Sequence, residues 1–168
     1  MKFSIVIPSF NDVRVIRTIK SILWLNYPRE LIELIVVDGG SNSKEMVKEF
    51  PLVQSMVDIF VSEKDKGIFD GLNKGVDLST GDVIFMIGSD DFFIDKDALS
   101  SVANIFSKKT ADIVSCEMFY IRDNLSIQRH WMLPAKQTKY SKIIQLPHFS
   151  TFFLKSAVTN IVFNIENR

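Results

Sequence analysis

GDVIFMIGSDDFF, residues 81–93, carries five consecutive apolar residues, Val83 to Ile87, and then two adjacent carboxylates, Asp90 and Asp91. The run is too short to span a membrane and is bounded by Thr80-Gly81 and by Gly88, so it reads as a strand buried on both faces. A buried parallel strand delivers the residues after its carboxyl end into the crevice where open α/β sheets bind ligands. Asp90 and Asp91 are therefore expected at the mouth of that crevice. Their oxygens suit a hard ion such as Mg2+ or Mn2+, and such an ion suits a ligand that carries a diphosphate. An isolated Asp pair commonly does no more than cap the next element. Here the rest of the chain argues for the metal.

Upstream, Phe3 to Ile7 is an apolar run stopped by Pro8 and followed by the polar loop Ser9-Phe10-Asn11-Asp12. Val15, Ile16, Ile19, Ile22 and Leu23 then recur at helical spacing, with Arg14, Arg17 and Lys20 on the other side; this predicts a helix over about 13–24 with Asp12 as its cap. Leu34 to Val37 is a second buried strand ending in Asp38-Gly39-Gly40-Ser41, and Ser43 is placed to cap a helix that Pro51 closes at Phe50. Residues 58–62 form a third strand opening onto Glu63 to Gly67, and Ile68, Phe69, Leu72 and Val76 line one face of the next helix. Strands alternating with helices of about ten residues predict a mostly parallel, Rossmann-like α/β sheet with right-handed crossovers.

Beyond the Asp pair the pattern changes. Asp95 or Asp97 can start a helix bearing Leu99, Val102, Ala103 and Phe106; residues 111–120 read as one long strand, and 127–132 as its antiparallel return. Residues 140–146 read as a short helix, ahead of the apolar Thr151 to Leu154. Trp24, Trp131 and the many phenylalanines are read as packing residues.

One domain is the default for 168 residues. Twenty basic and twenty acidic residues balance, so charge gives no reason to expect a nucleic-acid partner. The single cysteine, Cys116, excludes a disulfide framework and a cysteine-based zinc site, and reads as a buried thiol. The first strand pattern leaves no room for a leader, and no apolar run approaches the roughly 18 residues of a membrane span, so the chain is expected in the cytoplasm.

Four loops should meet at the carboxyl edge of the sheet: 8–12, 38–43, 63–67 and 88–93. Their carboxylates, small polar residues and lysines suit an activated sugar on a nucleoside diphosphate, with a metal neutralising the diphosphate. The first loop, PSFND, is neither GxGxxG nor GxxxxGK[ST], which argues against a dinucleotide enzyme and a P-loop NTPase. It also lacks the Gly-rich basic loop of nucleotidyltransferases.

FSIVIPSFND (3–12), LIELIVVDGGSNSK (31–44), VSEKDKGIFDGLNKGVDLSTGDVIFMIGSDDFF (61–93) and, more loosely, PHFSTFFLKS (147–156) together resemble a family 2 glycosyltransferase of the A-type fold. The resemblance implies inverting transfer of a sugar from a nucleotide sugar, UDP-linked by preference, to a polysaccharide or lipid-linked glycan. By the same resemblance Pro8, Ser9, Asn11 and Asp38 line the nucleoside pocket, and Asp90 faces the ribose. Asp91 binds Mn2+ or Mg2+, His148 stands near the metal or diphosphate, and Lys66, Asp70 and Asn73 belong to the floor of the sugar site. Many relatives have a second acidic residue after the one matching Asp38, for the base; Gly39 stands there in this chain. The family's general base lies beyond the segment resembling PHFSTFFLKS, where Glu166 is the sole acid after Lys155. The chain thus reads as one domain, 1–168, C-terminally truncated, with a donor half at 1–93 and a partial acceptor half at 94–168. The alternative expectation is a nucleotide-sugar binding module with no turnover. Peripheral contact with the inner membrane face and a homodimer stay open.

Overall fold

The computed structural model describes residues 1–132, 148–157 and 163, with His148 described through its backbone alone. The strands are β1 (Phe3–Ser9), β2 (Ile32–Asp38), β3 (Ile59–Ser62), β4 (Val83–Met86), β5 (Ile113–Ser115), β6 (Met118–Ile121), β7 (Ile127–Trp131) and β8 (Thr151–Leu154); the α-helices are α1 (Val15–Leu23), α2 (Lys44–Met56), α3 (Ile68–Leu78) and α4 (Ala98–Ser107). Six strands form one sheet in the order β3-β2-β1-β4-β8-β5, and β6 and β7 pair as a separate antiparallel hairpin. β3, β2, β1 and β4 run parallel, while β8 is antiparallel to both its neighbours. The expected architecture, a mostly parallel sheet with flanking helices and a later hairpin, is what the chain adopts.

The central strands β1, β2 and β4 are mostly apolar and buried along their length because both faces of the sheet are covered there. Phe3, Ile5, Ile7, Leu34, Val36, Val83 and Phe85 pack against Val15, Ile19 and Ile22 of α1, Met46 and Val53 of α2, and Leu99, Val102 and Phe106 of α4. On the other face Val6, Ile35, Val37 and Met86 meet Leu72 and Val76 of α3. The strand order reverses direction between β1 and β4, and a crevice opens at their carboxyl ends, beside Ser9 and the Asp90-Asp91 loop.

Several local expectations are corrected. Pro8 does not stop β1. The Val6 carbonyl accepts from Ile87, so even-numbered residues of β1 turn their backbone groups toward β4, and Pro8 stands past the end of β4 where no donor is missed. Pro51 lies inside α2. An interior proline costs about 3 kcal/mol, but Met46, Phe50, Val53 and Met56 keep an apolar stripe against the core on both sides of it. Ser43 caps α2 as expected, accepting the Met46 N–H at 3.2 Å. Asp12 is not the cap residue of α1, which starts two residues later than expected, after Arg14. The expected strand 111–120 is two strands with different partners. β5 ends at Ser115, and Cys116, half-buried rather than buried, exchanges hydrogen bonds with Ser150 before the chain leaves for the hairpin. Trp24 and Phe10 are 56% and 60% exposed and take no part in the core. The expected helix 140–146 lies outside the described residues. Among the described residues, no helix is long and apolar enough to cross a membrane.

At the amino edge of the sheet, opposite the crevice, Glu33 is buried in a polar cluster. Its carboxylate accepts from Ser4 Oγ at 2.5 Å, from the Thr80 N–H at 2.7 Å and hydroxyl at 2.5 Å, and from Lys2 Nζ at 2.9 Å. Burial alone would raise its pKa, but these donors outweigh burial and hold it down at about 2. Because the folded value lies below the unfolded one, the stabilisation is present above about pH 4.5 and drains away as pH falls toward 2. Glu33→Gln is expected to lose about 3 kcal/mol at neutral pH and to flatten the stability profile across that acid window. Denaturant unfolding at a series of pH values measures both.

Candidate functional site

The loops after β1, β2 and β4 are tied to one another at the carboxyl edge. Asn11 reaches from the first to the second: its Oδ1 accepts from the Asn42 and Ser43 N–H groups at 2.9 and 2.8 Å, and its own N–H donates to Ser41 Oγ at 2.6 Å. Its φ of 51° is one that asparagine tolerates. Asp12 links the first loop to the third. Ser89 Oγ donates to it at 2.9 Å, and the Arg14 guanidinium donates to both its oxygens at 2.8 and 2.9 Å. Burial pushes the Asp12 carboxyl upward, yet the hydrogen bonds from Arg14 and Ser89 leave it below the ordinary carboxylate range.

Helix α1 supplies the platform for the Asp pair. The buried Thr18 hydroxyl donates to the Asp91 carbonyl at 2.6 Å and lies 2.9 Å from that of Ser89, and Arg17 donates to the Asp90 carbonyl at 2.8 Å. The Arg17 guanidinium also lies 4.7 Å from the centre of the Phe92 ring. Gripping the loop by its backbone leaves the two carboxylates unused by the grip. Asp90 is half exposed, 3.4 Å from Arg14 Nη1. Asp91 is more enclosed: burial raises its pKa, the Asp90 charge raises it further, and the Gly88 backbone with Arg17 and Arg14 only partly offsets this. Thr18→Val removes the donor while leaving buried carbonyls behind, and is expected to cost about 1–3 kcal/mol. Thr18→Ser should retain most of that stability in guanidinium denaturation.

Asp38 is fully buried at the end of β2. Its carboxylate accepts from the Gly40 and Ser41 N–H groups at 3.2 and 2.8 Å, from the Ser62 hydroxyl at 2.7 Å, and from the Ser41 hydroxyl. It therefore braces the second loop against β3. Ser9, 6% exposed, carries a buried hydroxyl with no partner among the described residues. Pro8 lies beside it, next to Gly71 of α3. Asp70 reaches back from the first turn of α3 to accept the Lys66 N–H at 3.0 Å, which holds its carboxyl below the usual range, helped by Lys74. The Asn73 side chain both donates to and accepts from the Phe163 backbone, at 3.0 and 2.8 Å, and Phe69 stacks on the Phe163 ring.

The structure thus brings Pro8, Ser9, Asn11, Asp38, Asp90 and Asp91 to one edge, with the Lys66 to Asn73 segment beside them. β8 runs antiparallel to β4 with Phe152 opposite Phe85, so continuing that register carries the His148 backbone to the same edge. Lys155 sits at the opposite edge, where its N–H donates to the Asp82 carbonyl. Glu166 lies outside the described residues. Among the described residues no three His, Cys, Asp or Glu side chains converge as a ready metal cage. The pair fits a divalent ion nonetheless: Asp91 is a partly buried carboxylate beside another, a charge arrangement that a cation relieves, and a diphosphate supplies further oxygen ligands. Arg17, Thr18 and Arg14 were missed as site residues. The available signal was Thr18, a polar residue inside the apolar stripe of α1.

Comparisons with known proteins bear on this edge. The family model described as Glycosyl transferase family 2 matches residues 4–158. The chain is 31% identical over 103 residues to a PGL/p-HBAD biosynthesis glycosyltransferase of Mycobacterium bovis (strain BCG / Pasteur 1173P2), which covers 60% of this chain and 40% of that protein. Among solved structures, S. aureus TarS superposes with a TM-score of 0.73 at 20% identity over 99% of this chain and 31% of its own. A shorter form, TarS 1-349 in complex with UDP-GlcNAc, gives 0.59 at 22% over 67% and 33%. The mannosyltransferase PcManGT of Pyrobaculum calidifontis, in complex with GDP-Man and Mn2+, gives 0.60 at 21% over 72% and 36%. At these identities the structural likeness is one of fold. The chain spans about two fifths of the mycobacterial relative's length.

Proposed function

We infer, from the fact that this chain belongs to the glycosyl transferase family 2, that it binds a nucleotide-diphosphate sugar at the carboxyl edge and transfers the sugar to a polysaccharide or lipid-linked glycan with inversion. The observation that carries this reading is the Asp90-Asp91 loop, gripped by Arg17 and Thr18 through its backbone at the switch point between β1 and β4. The TarS complex with UDP-GlcNAc and the PcManGT complex with GDP-Man and Mn2+ support it at the level of the shared fold. UDP is the carrier we favour.

Asp91 would hold Mn2+ or Mg2+, with His148 near the ion or the diphosphate and Asp90 facing the ribose. Bound there, the ion would neutralise the charge that develops on the departing diphosphate. The residues of this chain do the rest. Asn11, Asp12 and Asp38 fix the loops so that the pocket is formed before the donor arrives, which limits the ordering cost of binding. Arg14 lies beside Asp90 at the mouth, where its charge suits a phosphate oxygen. An acceptor hydroxyl then attacks the anomeric carbon from the face opposite the diphosphate: its oxygen bonds to that carbon, the bond to the phosphate oxygen breaks, and configuration inverts. The hydroxyl proton passes to a general base, for which we name no described residue. We place the reaction in the cytoplasm, with peripheral contact at the inner membrane face where the acceptor is lipid-linked.

Calorimetric titration of UDP and GDP, with and without Mn2+, tests the reading, followed by assays for UDP release from UDP-sugars. Metal-dependent nucleotide binding with turnover is expected. Binding without turnover would reduce the chain to a donor-binding module. A folded chain that binds neither nucleotide with Mn2+ present sinks the proposal.

A further inference from the structure

Position 39 has no side chain, but the space that one would fill is occupied. A Cβ built on Gly39 would lie 2.6 Å from Asp65 Oδ2, and the three nearest atoms all belong to the Asp65 carboxylate. The same Oδ2 lies 3.3 Å from where a Cβ on Gly71 would be, so this oxygen sits between two positions that both lack side chains. Asp65 Oδ1 accepts the Gly67 N–H at 2.9 Å, whereas Oδ2 has no hydrogen-bond partner among the described residues. Asp38, the other acid at this end of β2, is fully buried and has both its oxygens engaged by Gly40, Ser41 and Ser62. Of the two, Asp65 alone offers an acceptor to a ligand.

We propose that Asp65 determines the donor's base, with Oδ2 accepting the ring N–H of uracil. The inference rests on the nucleotide-sugar reading above. Its position suits the base. β2 lies two strands from β4, so Gly39 and the Asp pair are separated across the edge by about 10 Å, a nucleoside's reach from diphosphate to base, with the ribose over the end of β1. Its hydrogen bonding suits uracil in particular. Uracil presents one N–H, at N3, between two carbonyl oxygens. Guanine presents N1–H and N2–H side by side, which a carboxylate meets best with both oxygens, and here Gly67 already holds Oδ1.

The test uses the whole chain with Mn2+ and titrates UDP, GDP, CDP and inorganic pyrophosphate. Wild type should prefer UDP. Asp65→Asn retains an oxygen for Gly67 but places an NH2 group where Oδ2 stood, facing the uracil N3–H donor with another donor. UDP affinity should fall about 10- to 100-fold, CDP should gain on UDP because cytosine N3 is an acceptor, and pyrophosphate should bind as before. The double variant Gly39→Asp/Asp65→Gly moves the carboxylate across the gap and should recover the preference for UDP. The proposal is overturned by an Asp65→Asn chain that binds UDP like wild type, by parallel loss of UDP and pyrophosphate, or by a wild type that prefers GDP. A wild type that binds no nucleotide overturns the transferase reading itself.

Discussion

Asp91→Asn is expected to weaken Mn2+-dependent UDP binding by at least about 100-fold and to leave the metal-free fold as stable as wild type or slightly more so. The first half follows from the role proposed for Asp91. Removing groups that only support a metal ligand commonly costs 10- to 100-fold, and loss of an anionic ligand itself should reach or exceed that range. The second half follows from the cost of holding this carboxylate in place. Its pKa is raised by burial and by the Asp90 charge, so the folded chain holds the proton more tightly than the unfolded chain does. Such a group lowers stability as pH rises through its titration, the opposite sign to Glu33. Asparagine keeps the shape and removes the charge, and the grip of Thr18 on the residue 91 carbonyl does not depend on the side chain. Titration calorimetry paired with metal-free thermal unfolding reads both halves. Binding that survives the substitution would remove Asp91 from the metal site, while a large loss of stability would mean that the carboxylate has a structural role.

Gly75→Ala is expected to destabilise the protein by about 3 kcal/mol, although alanine is intrinsically favoured in a helix by about 1 kcal/mol. The added methyl would come to 2.1 Å from Val6 Cγ1 and 3.2 Å from its Cβ. Val6 is fully buried in β1 between two paired strands and is stiff about its first torsion, so neither its side chain nor its backbone can yield cheaply. Helix α3 must then lift from the sheet, giving up contacts of Leu72 and Val76 with Val37 and Ile35. Overpacking of this kind costs typically 1–3 kcal/mol and occasionally more, and a contact this short belongs at the upper end. Val6→Ala in the same chain should recover part of the loss, and a double-mutant cycle by urea unfolding would expose the coupling. Additive effects would show that α3 does not rest on Val6.

What the sequence made legible was local. The parallel strands announce themselves as apolar runs because both faces are covered, and their carboxyl-end loops follow from the alternation of strand and helix; Asp38, Asp90 and Asp91 were placed in this way. Effects that depend on distant partners were not legible. Pro51 looked like a stop because the cost of a proline is local, whereas the packing of Phe50, Val53 and Met56 that offsets it is tertiary. Residues 111–120 looked like one strand because no pattern reveals that Ser115 pairs with Thr151 while Met118 pairs with Trp131. Arg17 read as a solvated face, yet its guanidinium holds the Asp90 carbonyl. Asn73 read as a sugar-site residue, and its amide is engaged by the Phe163 backbone.

The insertion of β8 between β4 and β5 sets an order of events during synthesis. β4 gains its partner on one side from β1, made long before it, but the other side is filled by Thr151–Leu154, which the ribosome produces only after α4, β5 and the hairpin. At roughly 5–20 residues per second, the apolar edge Val83–Met86 waits unpaired for several seconds on each nascent chain. That edge is wholly buried in the finished protein, and until β8 arrives it offers a template for strands of other chains. The interval in which this protein is most open to aggregation is therefore written into its strand order.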